Sequence, residues 1–195
     1  MKQKHFILTA VLSSTLLLAG CSGLGAGAYN NDKSIASDVN SYNLNNVTQS
    51  NEGDTFSAQV ENMEGMDTIW DCSADAALET ELSYDITLYS GKVKLALISP
   101  DEEVTTLVEL DSEKGADDSS ASPQDISAEG SSAAAAQNGP AGDSSLSATD
   151  TVSFTLQPGE NRIKVVAGED TGFNMSMTVP EGEFGSLGFL MGIKN

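Results

Sequence analysis

Histidine and cysteine are almost absent from this chain, and each scarcity excludes a kind of site. The single histidine is His5, and the two cysteines are Cys21 and Cys72. Because no histidine follows residue 5, the rest of the chain cannot build a Ser-His-Asp triad or a Cys-His pair. Zinc and copper sites would lack their usual imidazole and paired thiolate ligands. The sequence therefore predicts a protein that is not an enzyme and that needs no cofactor.

Basic residues are also scarce. The chain has 9 Lys and Arg residues against 29 Asp and Glu residues, and its formal net charge is -20. Such a chain cannot neutralise a nucleic-acid backbone or hold anionic lipid through a polybasic surface. Aromatic residues make up only 6% of the 195 residues, which favours one small domain with polar flanking segments. We expect no nucleic-acid partner.

The N-terminus has the pattern of a bacterial lipoprotein signal. Lys2 and Lys4 precede an uncharged, mostly apolar run over residues 6–20, which is shorter than the roughly 20 residues of a membrane-spanning helix. The run leads into Leu-Ala-Gly-Cys at residues 18–21, which resembles a bacterial lipobox. The resemblance implies removal of residues 1–20 and a diacylglycerol on Cys21. We then expect the protein to be lipid-anchored in the cell membrane, facing the extracytoplasmic side.

Composition divides the remaining chain into segments. Residues 21–54 are rich in Gly, Ser and Asn without apolar periodicity, which predicts a flexible tether holding the domain about 30 Å from the anchor. Residues 111–149 contain few large apolar side chains and predict a disordered insertion. The ordered domain is expected over residues 55–110 and 150–182. The tail, residues 183–195, has an apolar patch that either docks or frays.

Within the predicted domain, apolar residues alternate at period two, the pattern of half-buried β-strands. A turn at Ser90 and Gly91 predicts that the strands on either side form a hairpin. With turn residues between the segments, the pattern predicts an all-β fold: one small antiparallel β-sandwich of seven or eight strands. The predicted strands cover residues 55–60, 68–72, 81–89, 92–97, 104–110, 151–156, 161–166 and 173–179.

Two segments carry a further resemblance. Residues 89–101 read YSGKVKLALISPD and residues 158–168 read PGENRIKVVAG. They look like paired strands in small jelly-roll modules, such as carbohydrate-binding and pre-peptidase C-terminal type domains. They are also similar to uncharacterised small lipoproteins of Gram-positive bacteria. The resemblance implies a jelly-roll-like sandwich with a surface role, and it transfers no binding residue.

The candidate ligand-binding residues lie in these same strands. Lys92, Lys94, Arg162 and Lys164 alternate with apolar residues, so they would form a basic stripe if their two strands share a sheet. One interpretation is that they protect sheet edges and pair with neighbouring acids. The other is that they form a surface for an anionic ligand. Tyr89, next to a turn, is the candidate surface aromatic residue.

Other distinctive residues have structural interpretations. Trp70 and Tyr84 are expected in the core, and Cys72 is expected to be a buried structural thiol. Asp67, Asp71 and Asp75, with the acidic run at residues 101–103, could supply oxygen ligands to a weak calcium site. In so acidic a chain, however, such clusters arise from composition alone, so no metal site is assigned.

Together these observations predict a non-enzymatic, lipid-anchored module of the cell envelope that binds a glycan or a peptide. The alternative is an accessory or inhibitory subunit that packs on another envelope protein. A hydrolase that uses two carboxylates is a third, less favoured reading.

Overall fold

A computed structural model describes residues 24–114 and 145–188. The predicted signal peptide, Cys21, most of the predicted insertion and the last seven residues lie outside these ranges. The described part is mainly antiparallel β-sheet, which confirms the predicted all-β fold. Its elements are α1 (Leu24–Tyr29), α2 (Asp32–Ala36), β1 (Ser41–Glu52), β2 (Thr55–Ala74), β3 (Leu78–Ser90), β4 (Lys92–Ile98), β5 (Val104–Asp111), β6 (Leu146–Leu156), β7 (Gly159–Thr178) and β8 (Glu183–Phe184).

Two long strands organise the sheet. Strands β2 and β7 have 20 residues each and pair with one another along their whole length. Beside one half of this pair, β1 adds to β2, and β3 and then β6 add to β7. Beside the other half, β8 adds to β2, and β4 and then β5 add to β7. The result is one hydrogen-bonded, sandwich-like sheet with two halves, here called the β3 half and the β4 half.

The sequence pattern predicted each long strand as two short ones. Residues 63–66 and 168–172 interrupt the alternation but lie inside β2 and β7. The pairing register shifts at three places between Val60 and Trp70, and such bulges bend a strand without ending it. Gly65 lies in this region at φ 104°, where an added Cβ would collide with the backbone of Ser41. The bulges therefore explain why the period-two alternation of apolar residues breaks at these positions although each strand continues.

The predicted hairpin around Ser90 and Gly91 is also corrected. Strand β3 pairs with β6 and β7, whereas β4 pairs with β5 and a different stretch of β7. Gly91, at φ 72°, lets the chain turn sharply there. The turn therefore carries the chain from one half of the sheet to the other.

The main core lies on the inner faces of both halves. Leu82, Ile86 and Leu88 of β3 are buried in it, as the alternation predicted, and so are Val93, Leu95 and Leu97 of β4. Trp70 is fully buried and makes an edge contact with the Phe154 ring. The remaining core prediction, Tyr84, is half-buried and packs against this cluster.

The predicted tether over residues 21–54 is corrected from residue 24 onward. Residues 24–36 form α1 and α2, and β1 pairs with β2. Tyr29 and Ile35, which looked isolated in the sequence, are fully buried in a second apolar cluster with Ala96 and Val166. This cluster lies on the outer face of the β4 half. An isolated apolar residue can therefore order a polar segment when a sheet face is available to bury it.

Both ends of the predicted domain extend further than expected. Strand β6 begins at Leu146, so the last residues of the predicted insertion belong to the sheet. The tail docks as far as it is described: Phe184 stacks on Phe56 with ring centroids 5.8 Å apart, and Leu187 is fully buried. The backbone N-H of Gly188 donates to the Asp67 carboxylate at 2.7 Å.

Candidate functional site

The structure brings the four basic candidates onto one sheet face. In the pairing of β4 with β7, Ala96 lies opposite Lys164 and Ile98 lies opposite Arg162. Residues two apart on a strand share a face, so Lys92 and Lys94 lie on this side as well. The basic stripe therefore exists, with Lys92, Lys94, Arg162 and Lys164 on the outer face of the β4 half.

The N-terminal segment covers this stripe. Arg162 forms an ion pair with Asp38 and donates to the carbonyl oxygen of Ala36 at 2.9 Å. The Lys164 ammonium group donates to the carbonyl oxygen of Ser37 at 2.6 Å and is 0% exposed. In this structure the stripe binds residues of its own chain.

Tyr29 covers the other end of the stripe. The ammonium groups of Lys92 and Lys94 lie 4.5 and 4.8 Å from the centre of its ring, which is cation-π distance. Its hydroxyl donates to the Glu109 carboxylate at 2.9 Å. Burial, reinforced by Glu109, raises the pKa of the Tyr29 hydroxyl, and burial lowers the pKa of Lys94. Tyr29 therefore joins two strands while shielding both lysines.

Two buried ionisable groups lie close together here: Lys164, which belongs to the stripe, and Asp67. Burial lowers the pKa of Lys164 to about 8, with a further lowering from the charge of Arg162. Burial raises the pKa of Asp67 to about 6, although the N-H of Gly188 and the charge of Lys164 oppose that rise. Within the described residues, one oxygen of the Asp67 carboxylate has no hydrogen-bond partner. Both groups are costly to keep charged where they lie.

An acidic groove of about 940 Å³ lies beside the stripe. Cys72 is on its wall and is half-buried, so the predicted buried thiol is corrected. Burial and the nearby Glu181 and Asp71 raise the pKa of the Cys72 thiol, which makes it a poor nucleophile. The charged residues on the groove wall are Asp38, Asp71, Glu102, Glu160, Arg162 and Glu183.

The structure does not gather the residues considered for calcium. Asp67 is buried beneath the tail, Asp71 lines the groove, and Asp75 is exposed. Among the residues that the structure describes, no group of three or more His, Cys, Asp or Glu side chains is placed to hold a metal ion.

A surface that the sequence analysis did not single out covers the outer face of the β3 half. The strand registers align fifteen outward-facing residues in three rows across five strands, and we call this surface the hydroxyl face. Eleven of the fifteen are Ser or Thr, two are amides and two are carboxylates, while none is apolar or basic. The rows, in strand order β1, β2, β7, β3, β6, are Thr48, Gln59, Asn174, Thr87, Ser147; then Ser50, Ser57, Ser176, Asp85, Thr149; then Glu52, Thr55, Thr178, Ser83, Thr151.

Hydrogen bonds between neighbouring strands order the side chains of this face. The hydroxyl groups of Thr55 and Thr178 are 2.9 Å apart, and those of Ser83 and Thr151 are 3.0 Å apart. The hydroxyl groups of Ser57 and Ser176 are 3.3 Å apart, and those of Thr87 and Ser147 are 3.0 Å apart. General strand geometry spaces the residues about 4.8 Å across and about 6.8 Å along the strands. The face is therefore a regular array of hydroxyl groups.

Tyr89 lies at the margin of the hydroxyl face, two residues beyond Thr87 on β3. Its side chain is 45% exposed, as the sequence predicted for a surface aromatic residue. The amide nitrogen of Asn174 donates to the Tyr89 hydroxyl at 2.7 Å. The amide oxygen of Asn174 is buried and has no partner within the described residues. The candidate aromatic residue is thus joined to the first row of the array.

The array suits a partner that is itself rich in hydroxyl groups. A Ser or Thr hydroxyl that donates to its neighbour keeps lone pairs that can accept another hydrogen bond. Short side chains also lose little rotamer freedom on binding. Sequence reasoning missed this surface because its residues come from five separate strands. The available signal was the run of Ser and Thr at outward positions, such as Ser83 and Thr87.

Comparison with known proteins identifies no family. No family model matches the chain, and no curated protein matches it. One solved structure with some similarity is that of infectious bursal disease virus, Gx strain, at 16% sequence identity and a TM-score of 0.25. The match covers 78% of this chain and 34% of the viral chain, so this chain spans about a third of that protein. At that TM-score the likeness supports no conclusion.

Among residues 24–114 and 145–188, no helix is long and apolar enough to cross a bilayer.

Proposed function

We propose that this protein is a lipid-anchored, extracytoplasmic binding module that holds a neutral glycan chain of the cell envelope on its hydroxyl face. It acts by binding and carries out no reaction. The observation that carries the proposal is the array of eleven Ser and Thr hydroxyl groups across five strands. The lipobox-like residues 18–21 support the anchor, with Cys21 as the attachment residue.

The chemistry of a sugar chain complements this array. Sugar hydroxyls both donate and accept hydrogen bonds, as Ser and Thr hydroxyls do. The four cross-strand hydroxyl pairs hold their side chains in place before a ligand arrives, which reduces the entropic cost of binding. Tyr89 offers an aromatic ring at the margin, where one sugar ring can stack.

The charge of the protein favours a neutral chain over an anionic one. Without residues 1–20, the chain keeps seven basic and 29 acidic residues, and its field repels polyanions. The four basic residues that could attract an anion lie beneath the N-terminal segment. The hydroxyl face itself contains two carboxylates, Asp85 and Glu52, and no basic side chain.

Binding to a panel of neutral and anionic glycans tests the proposal, using the chain from residue 21 onward with Cys21→Ala so that it remains in solution. The key variant is Thr149→Lys, which places a long charged side chain on the hydroxyl face. Its matched control is Thr106→Lys, because Thr106 is also an exposed threonine on the last strand of its half of the sheet.

We expect a neutral glycan to bind, with affinity reduced at least tenfold by Thr149→Lys and unchanged by Thr106→Lys. Equal affinities in the two variants would contradict the hydroxyl face as the site. Failure of every glycan to bind, together with recovery of one envelope protein from a pulldown, would favour the accessory-subunit alternative.

A further inference from the structure

The ordered domain begins very close to the predicted lipid attachment residue. Only Ser22 and Gly23 separate Cys21 from the start of α1 at Leu24. A fully extended chain covers at most about 3.6 Å per residue. The link from Cys21 to Leu24 therefore spans no more than about 11 Å, well below the 30 Å expected from a tether of 34 residues.

The first ordered residues are held firmly to the sheet. Tyr29 and Ile35 are 1% and 0% exposed, in the cluster on the outer face of the β4 half. Backbone carbonyl groups of residues 36 and 37 accept hydrogen bonds from Arg162 and Lys164. Detaching this segment would expose the apolar cluster and leave these donors without their acceptors. The segment is therefore part of the domain.

The surface next to the start of the domain carries little net charge. Residues 27–39 include exposed glycine and asparagine residues and three charged side chains: Asp32 and Lys33 have opposite signs, and Asp38 is paired with Arg162. Val39 is 68% exposed on the same segment. Elsewhere the protein is strongly acidic. This surface can approach anionic headgroups with less repulsion than the rest of the protein, and Val39 offers an apolar contact.

We infer that the domain lies directly against the outer surface of the bilayer that holds its anchor, with residues 27–39 facing the headgroups. This inference rests on the proposed lipid at Cys21. It assigns residues 27–39 as a membrane-contacting surface and gives the domain a fixed orientation. The hydroxyl face lies on the other half of the sheet, so its position relative to the bilayer is then fixed as well, and envelope polymers would bind it there.

Energy transfer from a labelled protein to acceptor lipids tests the orientation. The full lipoprotein, purified with its native acylation, is placed in vesicles of phosphatidylethanolamine and phosphatidylglycerol that carry an acceptor-labelled lipid. With Cys72→Ser as background, donors are attached at Val39→Cys or Thr149→Cys. The matched control adds a flexible 20-residue Gly/Ser insert between Gly23 and Leu24 in each labelled protein.

We expect strong transfer from position 39, at least twofold weaker transfer from position 149, and loss of that difference in the insert variants. Equal transfer from the two positions in the acylated protein without the insert would overturn this inference and leave the anchor standing. An intact mass that shows an unmodified Cys21 would overturn the proposed anchor, and this inference with it.

Discussion

The ammonium group of Lys164 is fully buried and donates a hydrogen bond to the carbonyl oxygen of Ser37, 127 residues earlier in the chain, at 2.6 Å. A second carbonyl oxygen, that of Val39, accepts from the same group at 3.2 Å. A residue predicted as part of an exposed basic stripe is thus an anchor for the N-terminal segment. Stability and the attachment of this segment are therefore linked through one ionisable group.

The low pKa of Lys164 makes its contribution to stability depend on pH in a defined direction. Its pKa is about 8 in the folded protein and 10.5 in the unfolded chain. Between these values the unfolded state binds more protons, so stability rises with pH. We expect the melting temperature of the unaltered protein, minus that of Lys164→Met, to increase from pH 8 to pH 10.5. A difference that stays constant over this range would contradict the burial of a charged Lys164.

Asp67 should show the opposite trend in a lower pH range. Its pKa is about 6 in the folded protein against 3.8 in the unfolded chain. Here the folded state binds more protons, so stability decreases as pH rises from 3.8 to 6. Against Asp67→Asn, the unaltered protein should lose about 1 to 3 kcal/mol of unfolding free energy over this range. Denaturant titrations of both proteins at pH 4 and pH 7 measure this change. If the unfolding free energies of the two proteins differ by the same amount at both pH values, the prediction is wrong.

Alanine substitutions at two glycines distinguish the stability cost of a steric collision from the cost of backbone strain. Gly65 and Gly53 both have positive φ angles, but an added Cβ collides with the Ser41 backbone only at Gly65 and meets open space at Gly53. We expect Gly53→Ala to cost about 1 kcal/mol from strain. Gly65→Ala should cost at least about 2 kcal/mol more, because β1 must move. Equal losses in chemical denaturation would show that β1 does not approach Gly65 this closely.

Tyr29 offers a test of how the N-terminal segment is held. Tyr29→Ala removes the ring between two lysines and leaves a cavity, so we expect amide exchange over residues 28–40 to accelerate at least tenfold. Tyr29→Phe keeps the ring and loses only the bond to Glu109, so its exchange should change far less. Similar exchange in both variants would mean that the ring does not hold the segment.

The predicted insertion can be tested with corrected bounds. Since β5 ends at Asp111 and β6 begins at Leu146, a deletion should be confined to residues 115–144 and closed by ten Gly/Ser residues. Loop-closure free energy changes only about 0.6 kcal/mol per doubling of length, so we expect a melting temperature within a few degrees of the unaltered protein. A loss of ten degrees or more would show that this segment stabilises the sheet.

Period-two alternation predicted the all-β fold and the inward residues of β3 and β4, because it reports which side of a strand is buried. It did not predict which strands pair, since Ser90 and Gly91 fit a hairpin turn equally well in either topology. Tyr29 and Ile35 looked isolated because the sheet residues that bury them, Met66, Ala96 and Val166 among them, lie at least 31 residues away in the chain. Of the candidate site, Tyr89 was predicted as a surface residue, whereas the hydroxyl face required the registers of five strands.

The pairing of β1 with β2 bears on how the protein would withstand mechanical load. Eleven residue pairs join these strands, from Ser41 opposite Met66 to Glu52 opposite Thr55. With a polymer held on the hydroxyl face and the proposed anchor at the N-terminus, force would enter β1 at its Ser41 end and pass along β1 to β2 and the other strands of the face. Such a load acts in shear, so the backbone hydrogen bonds along the pair must fail together instead of one after another. The fold therefore places one of its two longest edge pairings where tension between the proposed anchor and a bound polymer would pass.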